Sequence, residues 1–412
     1  MTRQPKSMVP KVRFKGFTDE WEQHKLEEIA EFYNGDRGPN YPKPSEIVEQ
    51  GVPFINAGDL INGHIDYRNC KHITSDKFNQ LNGAKLKIND IVYCLRGTIG
   101  KNGLVNSDAN ATIASSLVCI RPVKLRPLFL FQILNSSIEE RQRKMVDEGA
   151  AQPNISATNL KKFLIPVPND NEQEKIGEVF SKLNHLITLQ QHKLDQLNTL
   201  KKGLLQKMFA DKKHPKPELR FKSFHDNWIN HKAGDFMIER NQKATIDDDF
   251  PLKAFIANKG VADKGERYDR SAITNDASNK MYKRTLFNDF IYSSNNLETG
   301  SIGLNKYGNA SISPVYSIFY FKNKESADFF GRILVRKEFI NSMIRYRQGV
   351  VYGQWRIKEK DFLNISISVP SLEEQEKIGS LLDKLDETIN VNSKLLNQLK
   401  VLKKSLLQNM FI

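Results

Sequence analysis

Two stretches of the chain carry a hydrophobic period that can be counted directly. In the first, apolar residues fall at Ile176, Phe180, Leu183, Ile187, Leu194, Leu197, Leu204 and Met208, in steps that alternate between four and three. The second repeats the pattern at Ile378, Leu382, Leu385, Ile389, Leu396, Leu399, Leu406 and Met410. Polar residues interrupt each seam at the same two places, Gln190 and Lys201 in the first, Asn392 and Lys403 in the second. Seams of this spacing, held for about five heptads, predict two long coiled-coil helices. About forty residues at ~1.5 Å each predict rods of roughly 60 Å. Recurrent polar positions read as register devices, because a buried Gln190 or Asn392 rejects slipped pairings. Asn169 or Asp170 is placed to cap the first helix and Ser371 the second. The alternative is two amphipathic helices, each lying on its own domain.

The helices belong to a larger repeat. PKVRFKGFTDEWEQHK at 10–25 is answered by PELRFKSFHDNWINHK at 217–232, with Trp21 and Trp228 207 positions apart. VPNDNEQEKIG, opening the block 167–209, is answered by VPSLEEQEKIG, opening 369–411, at a separation of 202. The chain is therefore a tandem duplication of opening segment, variable body and helix. The bodies, 27–166 and 233–368, share only weak echoes: Asn89-Asp90 before IVY against Asn288-Asp289 before FIY, and TIG at 98–100 against SIG at 301–303. Connectors that persist while bodies diverge imply two modules with different targets. The boundaries fall at 1–168, 169–210, 211–370 and 371–412. If the rods pair, connectivity favours an antiparallel pair with a body at each end. Such pseudo-twofold symmetry suits the reading of two half-sites separated by a fixed gap.

Composition narrows the partner. Of 412 residues, 39% are apolar and 27% charged, which fits ordinary globular domains. Lys and Arg number 62 against 48 Asp and Glu, a formal charge of +14 shared by both halves of the chain. The excess favours a polyanion, nucleic acid foremost. The start, MTRQPKSMVPKVRF, lacks the apolar core of a signal peptide, and no run approaches the length of a membrane span. Cys70, Cys94 and Cys119 are odd in number and form no CxxC pair; they fit a reduced cytoplasm and read as small buried hydrophobes.

The openings RFKGFTDEW and RFKSFHDNW, the motif IPVPNDNEQEKIGEVFSKL and its copy SVPSLEEQEKIGSLLDKL resemble specificity subunits of type I restriction-modification systems, over the whole chain. The resemblance implies two mixed α/β target recognition domains, joined and spaced by the long helices. It implies partners as well: two modification (methyltransferase) subunits, restriction (translocase and endonuclease) subunits, and double-stranded DNA with a bipartite site. Chemistry on the partners, using S-adenosylmethionine, ATP and Mg2+, would methylate adenine at N6 or cleave after ATP-driven translocation.

The residues support a non-catalytic chain on their own. No [DNS]PP[YFW] tetrad is present to hold a flipped adenine. GTIGKNG at 97–103 has the wrong spacing for a phosphate-binding GxxxxGK[ST] loop. Asp170, Glu172, Glu174 and Lys175 read as first-turn residues placed by the helix dipole, and Asp247-Asp248-Asp249 as a solvated turn. No pair among the eight histidines has metal-ligand spacing, so no metal or cofactor is expected on this chain.

Residue type and loop context select candidate DNA contacts. In the first body, IVYCLRGTIGKNG (91–103) reads as a strand entering a Gly-rich loop that carries Arg96, Thr98, Lys101 and Asn102. Its counterpart, 291–308, offers Asn295, Asn296, Thr299, Lys306 and Tyr307. Before each final strand lies a second candidate segment, with Gln152 and Asn154 in the first body, and Gln354 and Arg356 in the second. There Trp355 is expected to be partly buried. Asn56 and Asp59 suit an Asx-turn as well as they suit DNA. RQRK at 141–144, with Arg345 and Arg347, would track phosphates. Two other functions fit the same architecture: a freestanding two-module DNA-binding regulator, and a coiled-coil scaffold.

Overall fold

Apolar runs that follow Asn89-Asp90 and Asn288-Asp289 must pair their backbone groups on both edges, and each becomes an inner strand. The computed structural model describes residues 8–108, 110–146, 154–210, 215–263, 280–350 and 353–412. Within it, Ile91–Cys94 lies between Leu117–Pro122 and Asn102–Leu104, with Ala30–Asn34 beyond. Phe290–Tyr292 lies likewise between Ser317–Phe321 and Ile302–Leu304, with Met237–Glu239 beyond. Both sheets are antiparallel and have the same strand order. Asn89 and Asn288 turn the chain into the strand at φ of 72° and 65°, a region asparagine tolerates.

Each following aspartate is buried and held by a guanidinium. Asp90 accepts from Arg121 Nε and Nη2 at 2.8 and 2.7 Å, and Asp289 from Arg240 Nε and Nη2 at 2.6 and 3.1 Å. Burial pushes the Asp289 carboxyl up, and the Arg240 bonds oppose it. Arg121 lies over the Tyr33 ring at 4.6 Å, and Arg240 over Tyr320 at 4.9 Å. Strand register makes Tyr33 the counterpart of Arg240, and Arg121 the counterpart of Tyr320. Arginine and tyrosine have thus changed strands around one buried carboxylate. The charge needs a paired cation, and either neighbouring strand supplies it.

The second sheets differ. In the first body Thr112–Ile113, Val52–Ile55, Lys71–Ile73 and Ile47–Val48 form a four-stranded sheet with one parallel pair. In the second, among the described residues, Lys243–Ala244, Tyr282–Thr285 and Ala310–Ile312 form a three-stranded antiparallel one.

The repeated blocks of the sequence turn out to be two sides of one joint. Glu22–Lys25 pairs with Leu164–Val167, and Ile229–Lys232 with Ser366–Val369. Glu22 faces Val167 as Ile229 faces Val369, so both separations, 207 and 202, are kept in the register. Arg13 donates to Glu172 at 2.7 and 2.8 Å, and Arg220 to Glu374 at 2.6 and 2.7 Å; both glutamates are fully buried. Gln173 and Gln375 donate to the carbonyls of Pro168 and Pro370, each at 2.9 Å. Lys175 and Lys377 cover the rings of Phe17 and Phe224, each at 4.9 Å. At Gly177 an added Cβ would lie 2.9 Å from Leu128 Cβ, and at Gly379 3.0 Å from Phe329 N, so neither position has room for a side chain. Glu172 lies in the first helical turn as expected, and its burial makes it in addition the anchor of the opening segment. Asp170 does stay at the surface, paired with Arg126 at 2.5 Å.

The long helices span Asp170–Lys207 and Leu372–Asn409, 38 residues each. Asn169 Oδ1 accepts from Glu172 N at 3.0 Å, and Ser371 Oγ from Glu374 N at 3.4 Å. Two compact units divide both helices between them: 1–191 with 394–412, and 192–393. In the first unit, Phe411 packs against Trp21, Phe129 and Phe180 at 6.3, 6.0 and 5.9 Å between centroids. In the second, Phe209 packs against Trp228 and Phe329 at 6.3 and 5.5 Å, and Met208 shares a core with Ile378 and Leu382. Lys201 reaches Asp386 at 2.5 Å. Within each unit the start of one long helix therefore meets the end of the other, and the pairing is antiparallel. Helices lying apart on separate globules are excluded. Of the predicted seam, Ile176, Phe180, Leu183, Ile378, Leu382, Leu385, Asn392 and Leu396 are buried. Ile187, Gln190, Leu194, Leu197, Ile389 and Leu399 are half-buried. The mixed α/β class with long antiparallel helices stands.

Candidate nucleic-acid interface

In the first unit the strand Ile91–Cys94 ends in a loop that doubles back into Asn102–Leu104. Gly97 and Gly100 hold φ of 79° and 84°. A Cβ on Gly100 would also lie 2.7 Å from Arg143 Nε, so the turn requires glycine there. Across the loop lies the second candidate segment: Ile155 N donates to Leu95 O at 3.0 Å, and Arg96 and Asn154 form an isolated antiparallel bridge. Residues 58 positions apart in sequence thus share one rim. Beneath it a groove of about 650 Å³ is lined by Asn34, Arg37, Asn82, Arg96, Asn154 and Thr158, among others. Gly83 N donates to Asp36 Oδ2 at 2.6 Å and Ala84 N to Asn34 O at 2.9 Å, which fixes the groove's other wall.

Not every candidate belongs to this rim. Arg96 and Thr98 are exposed. Lys101 spends its ammonium on Ala57 O at 2.9 Å. Asn102 is corrected: it opens a strand, is 3% exposed, and donates Nδ2 to the carbonyls of Gly100 and Leu134 at 2.9 and 3.2 Å. Its amide ties the loop to the helix end and is closed to a ligand. Asn56 and Asp59 form the structural turn, Asn56 N donating to Asp59 Oδ2 at 2.7 Å. Gln152 lies outside the described residues. Arg37, Asn34 and Asn82 were missed; the signals were the turn-rich run YNGDRGPN at 33–40 and the turn dipeptide Asn82-Gly83.

The second unit repeats the convergence. Asn295 Oδ1 accepts from Trp355 N at 2.6 Å, and Ser294 Oγ from Ile357 N at 3.0 Å. Gln354–Arg356 pairs antiparallel with Gln348–Val350, and Gln354, Trp355 and Arg356 are exposed to solvent. Trp355 is 49% exposed, more open than expected. Asn296 and Thr299 are exposed at the loop tip, with Thr299 Oγ1 donating to Asn296 O at 3.1 Å. Beside them Phe255, Tyr282 and Tyr316 help line a cavity of about 610 Å³.

Lys306 is corrected, because it pairs with Asp328 at 2.5 Å and lies 3.6 Å from Asp383 on the second long helix. Tyr307 sits under Lys253 at 4.8 Å. The proposed phosphate trackers also have structural work. Arg347 is bidentate to Glu298 at 2.8 and 2.6 Å, Arg141 donates to Ile412 O at 2.9 Å, and Arg143 donates to Glu139 at 2.8 Å. Lys144 is exposed and pairs with Glu140 at 2.7 Å, and Arg345 is exposed at a helix end. Asp247 pairs with Arg284 and accepts from Phe250 N at 2.8 Å, so this part of the acidic run is a fastened turn. The three cysteines are buried, and burial pushes the Cys70 and Cys119 thiols up. Among the described residues no helix is long and apolar enough to cross a membrane.

Comparison with known proteins agrees with this geometry. The model of the type I restriction modification DNA specificity domain matches residues 18–199 and 227–401. The type I restriction enzyme MjaVIII specificity subunit of Methanocaldococcus jannaschii is 22% identical over 427 residues, covering 92% of this chain and 96% of that protein. The EcoBI specificity subunit of Escherichia coli is 25% identical over 173 residues, 40% of this chain and 36% of that protein. The crystal structure of a type I restriction-modification S subunit from M. genitalium shares the fold over 98% of this chain and 99% of that one, with a TM-score of 0.64 at 18% identity.

Proposed function

The chain belongs to the type I restriction modification DNA specificity family, and from that premise we propose that it selects the DNA target of a type I restriction-modification complex without catalysing either reaction. Each unit reads one half of a bipartite site, and the long helices set the gap and dock the modification subunits. The observation that carries this reading is the double family match, falling on two units that repeat one sheet, one joint and one loop convergence while differing in their second sheet. The charge of +14 suits a DNA partner.

The helices support the docking role. Leu186, Leu189, Leu395 and Leu402 stand exposed on the long helices of the first unit, and Leu200, Leu381 and Val391 on those of the second. Leu189 corresponds to Val391 and Leu200 to Leu402, so each unit offers a related apolar strip, as two copies of one partner require.

Co-expression with a modification subunit, followed by native mass measurement and DNA binding, tests the proposal. Two modification chains per copy and sequence-specific binding only in the complex are expected. Full sequence-specific affinity of the chain alone would favour a freestanding regulator, and no sequence preference in any form would favour a scaffold. Four residues inserted midway in one long helix add ~6 Å. They should widen the gap by up to roughly two base pairs and leave both half-sites unchanged.

A further inference from the structure

The paired strands of the joint have an outer edge that the two units treat differently. Lys25 faces Leu164, and Lys232 faces Ser366. At both places the ladder bond runs through the neighbours, Leu26 N to Phe163 O and Ala233 N to Ile365 O, each at 2.9 Å. Leu164 and Ser366 therefore turn their own N–H and C=O away from the paired strand, and Pro166 and Ser368, two residues on, face the same way.

In the first unit the chain closes this edge itself. Gln142 Nε2 donates to Leu164 O at 3.0 Å, and Gln142 Oε1 accepts from Leu164 N at 2.7 Å. Pro166 has no N–H to offer. A covering group and a proline are both ways to blunt an exposed edge.

Both devices are missing from the second unit. Phe129 and Phe329 hold the same place against Trp21 and Trp228, and thirteen residues after each phenylalanine stand Gln142 and Ser342. Ser342 is too short to bridge, and its hydroxyl donates to Glu338 O on its own helix at 3.1 Å. Ser368 replaces Pro166 and restores an N–H. The edge opens on a cavity of about 670 Å³, lined by Ser342, Ser366, Ser368, Trp228, Phe339 and Arg345, among others. Among the described residues the N–H and C=O of Ser366 have no partner. Arg336 and Glu338 on the same cavity pair at 3.5 Å, whereas Arg345 is exposed and has no partner among the described residues.

The first unit shows what chemistry suits this edge: an amide that presents a donor and an acceptor side by side. Gln142 supplies one such group, and an extended peptide supplies one at every second residue, adding itself as a third strand. Trp228 and Phe339 give a side chain of that peptide an apolar wall, and Arg345 gives a carboxylate a partner.

We propose that the edge of Ser366–Val369 binds, by strand addition, an extended peptide segment of a partner protein that carries an acidic residue for Arg345. The first unit has its edge closed, so each chain holds one such segment, and the proposal stands apart from the reading of DNA. A displayed library of random peptides, selected on the full chain, supplies the probe. Enriched peptides are then synthesised and their binding measured by fluorescence anisotropy. The expected result is one peptide per chain, rich in acidic residues, with hydrogen exchange at the Ser366 and Ser368 amides slowed when it binds. Ser342→Gln, which reinstates the clamp of the first unit, and Ser368→Pro should each weaken binding about tenfold or more. Ser342→Ala leaves the edge open and should bind as the unaltered chain does. Failure to enrich any peptide would overturn the proposal. So would enriched peptides that slow exchange at neither serine, a readout on the unaltered chain that needs no variant to fold.

Discussion

Phe411 gives the most quantitative test of how the first unit is assembled. It sits two residues beyond the second long helix, is 4% exposed, and touches Trp21, Phe129 and Phe180. Those rings come from the opening segment, the body and the first long helix, so one side chain from the far end of the sequence closes a core built from three distant segments. Phe411→Ala removes the ring and leaves a cavity between them, at a cost of about 3–5 kcal/mol. For a unit of this size that lowers Tm by roughly 10 °C.

The assay is intrinsic fluorescence. The chain has three tryptophans. Replacing Trp228 and Trp355 by Phe leaves Trp21, 6.3 Å from Phe411, as the reporter. Its transition should move by the stated amount in Phe411→Ala. In the reciprocal background, Phe209→Ala should move the transition of Trp228, which lies 6.3 Å away. If Phe411→Ala shifts the Trp21 transition no more than Leu402→Ala does, an exposed position on the same helix, the second helix does not complete the first core and the antiparallel joint is wrong.

Three further outcomes are expected. Glu172→Ala strands the Arg13 guanidinium, which is 10% exposed, and should cost about 3–5 kcal/mol in urea denaturation, while Arg13→Met with Glu172→Met should cost much less; equal costs would refute a buried pair. Exchanging Arg121→Tyr with Tyr33→Arg should recover more than half of the stability lost in Arg121→Tyr alone, since the second unit already uses that arrangement; simple additivity of the two losses would count against it. Lys403 is the counterpart of Lys201, but Asn184 stands where Lys201 has Asp386, and burial lowers the pKa of Lys403. A depressed lysine binds its proton more weakly folded than unfolded, so its penalty is complete below the folded pKa and fades as pH rises toward the ordinary 10.5. Lys403→Met should therefore stabilise by about 1 kcal/mol at pH 7, with the difference shrinking at alkaline pH in thermal melts; a gain independent of pH would contradict the sign.

Periodicity and repetition were legible because they depend on neighbours in sequence. The heptad seams predicted both long helices and their polar interruptions, and the two separations reappear in the register of paired strands. What the repeated blocks do was not legible. Arg13 and Glu172 lie 159 positions apart, and nothing in either motif announces the other as its partner. Loop residues were read by type, and type does not reveal engagement. Asn102 looks like a reader but is buried, while Lys306, Arg347 and Arg143 look like free cations but are paired. Arg37 joins the groove only because distant loops meet there. The convergence of each Gly-rich loop with the segment before its final strand is likewise a product of folding.

The central claim is that each unit reads its own half of the DNA target. The most direct measurement is the pattern of N6-methyladenine in cells carrying this chain with residues 27–166 exchanged for those of a relative. One half-site should change, while the other half-site and the gap remain as they are for the unaltered chain. A change in both half-sites, or in neither, would contradict the account.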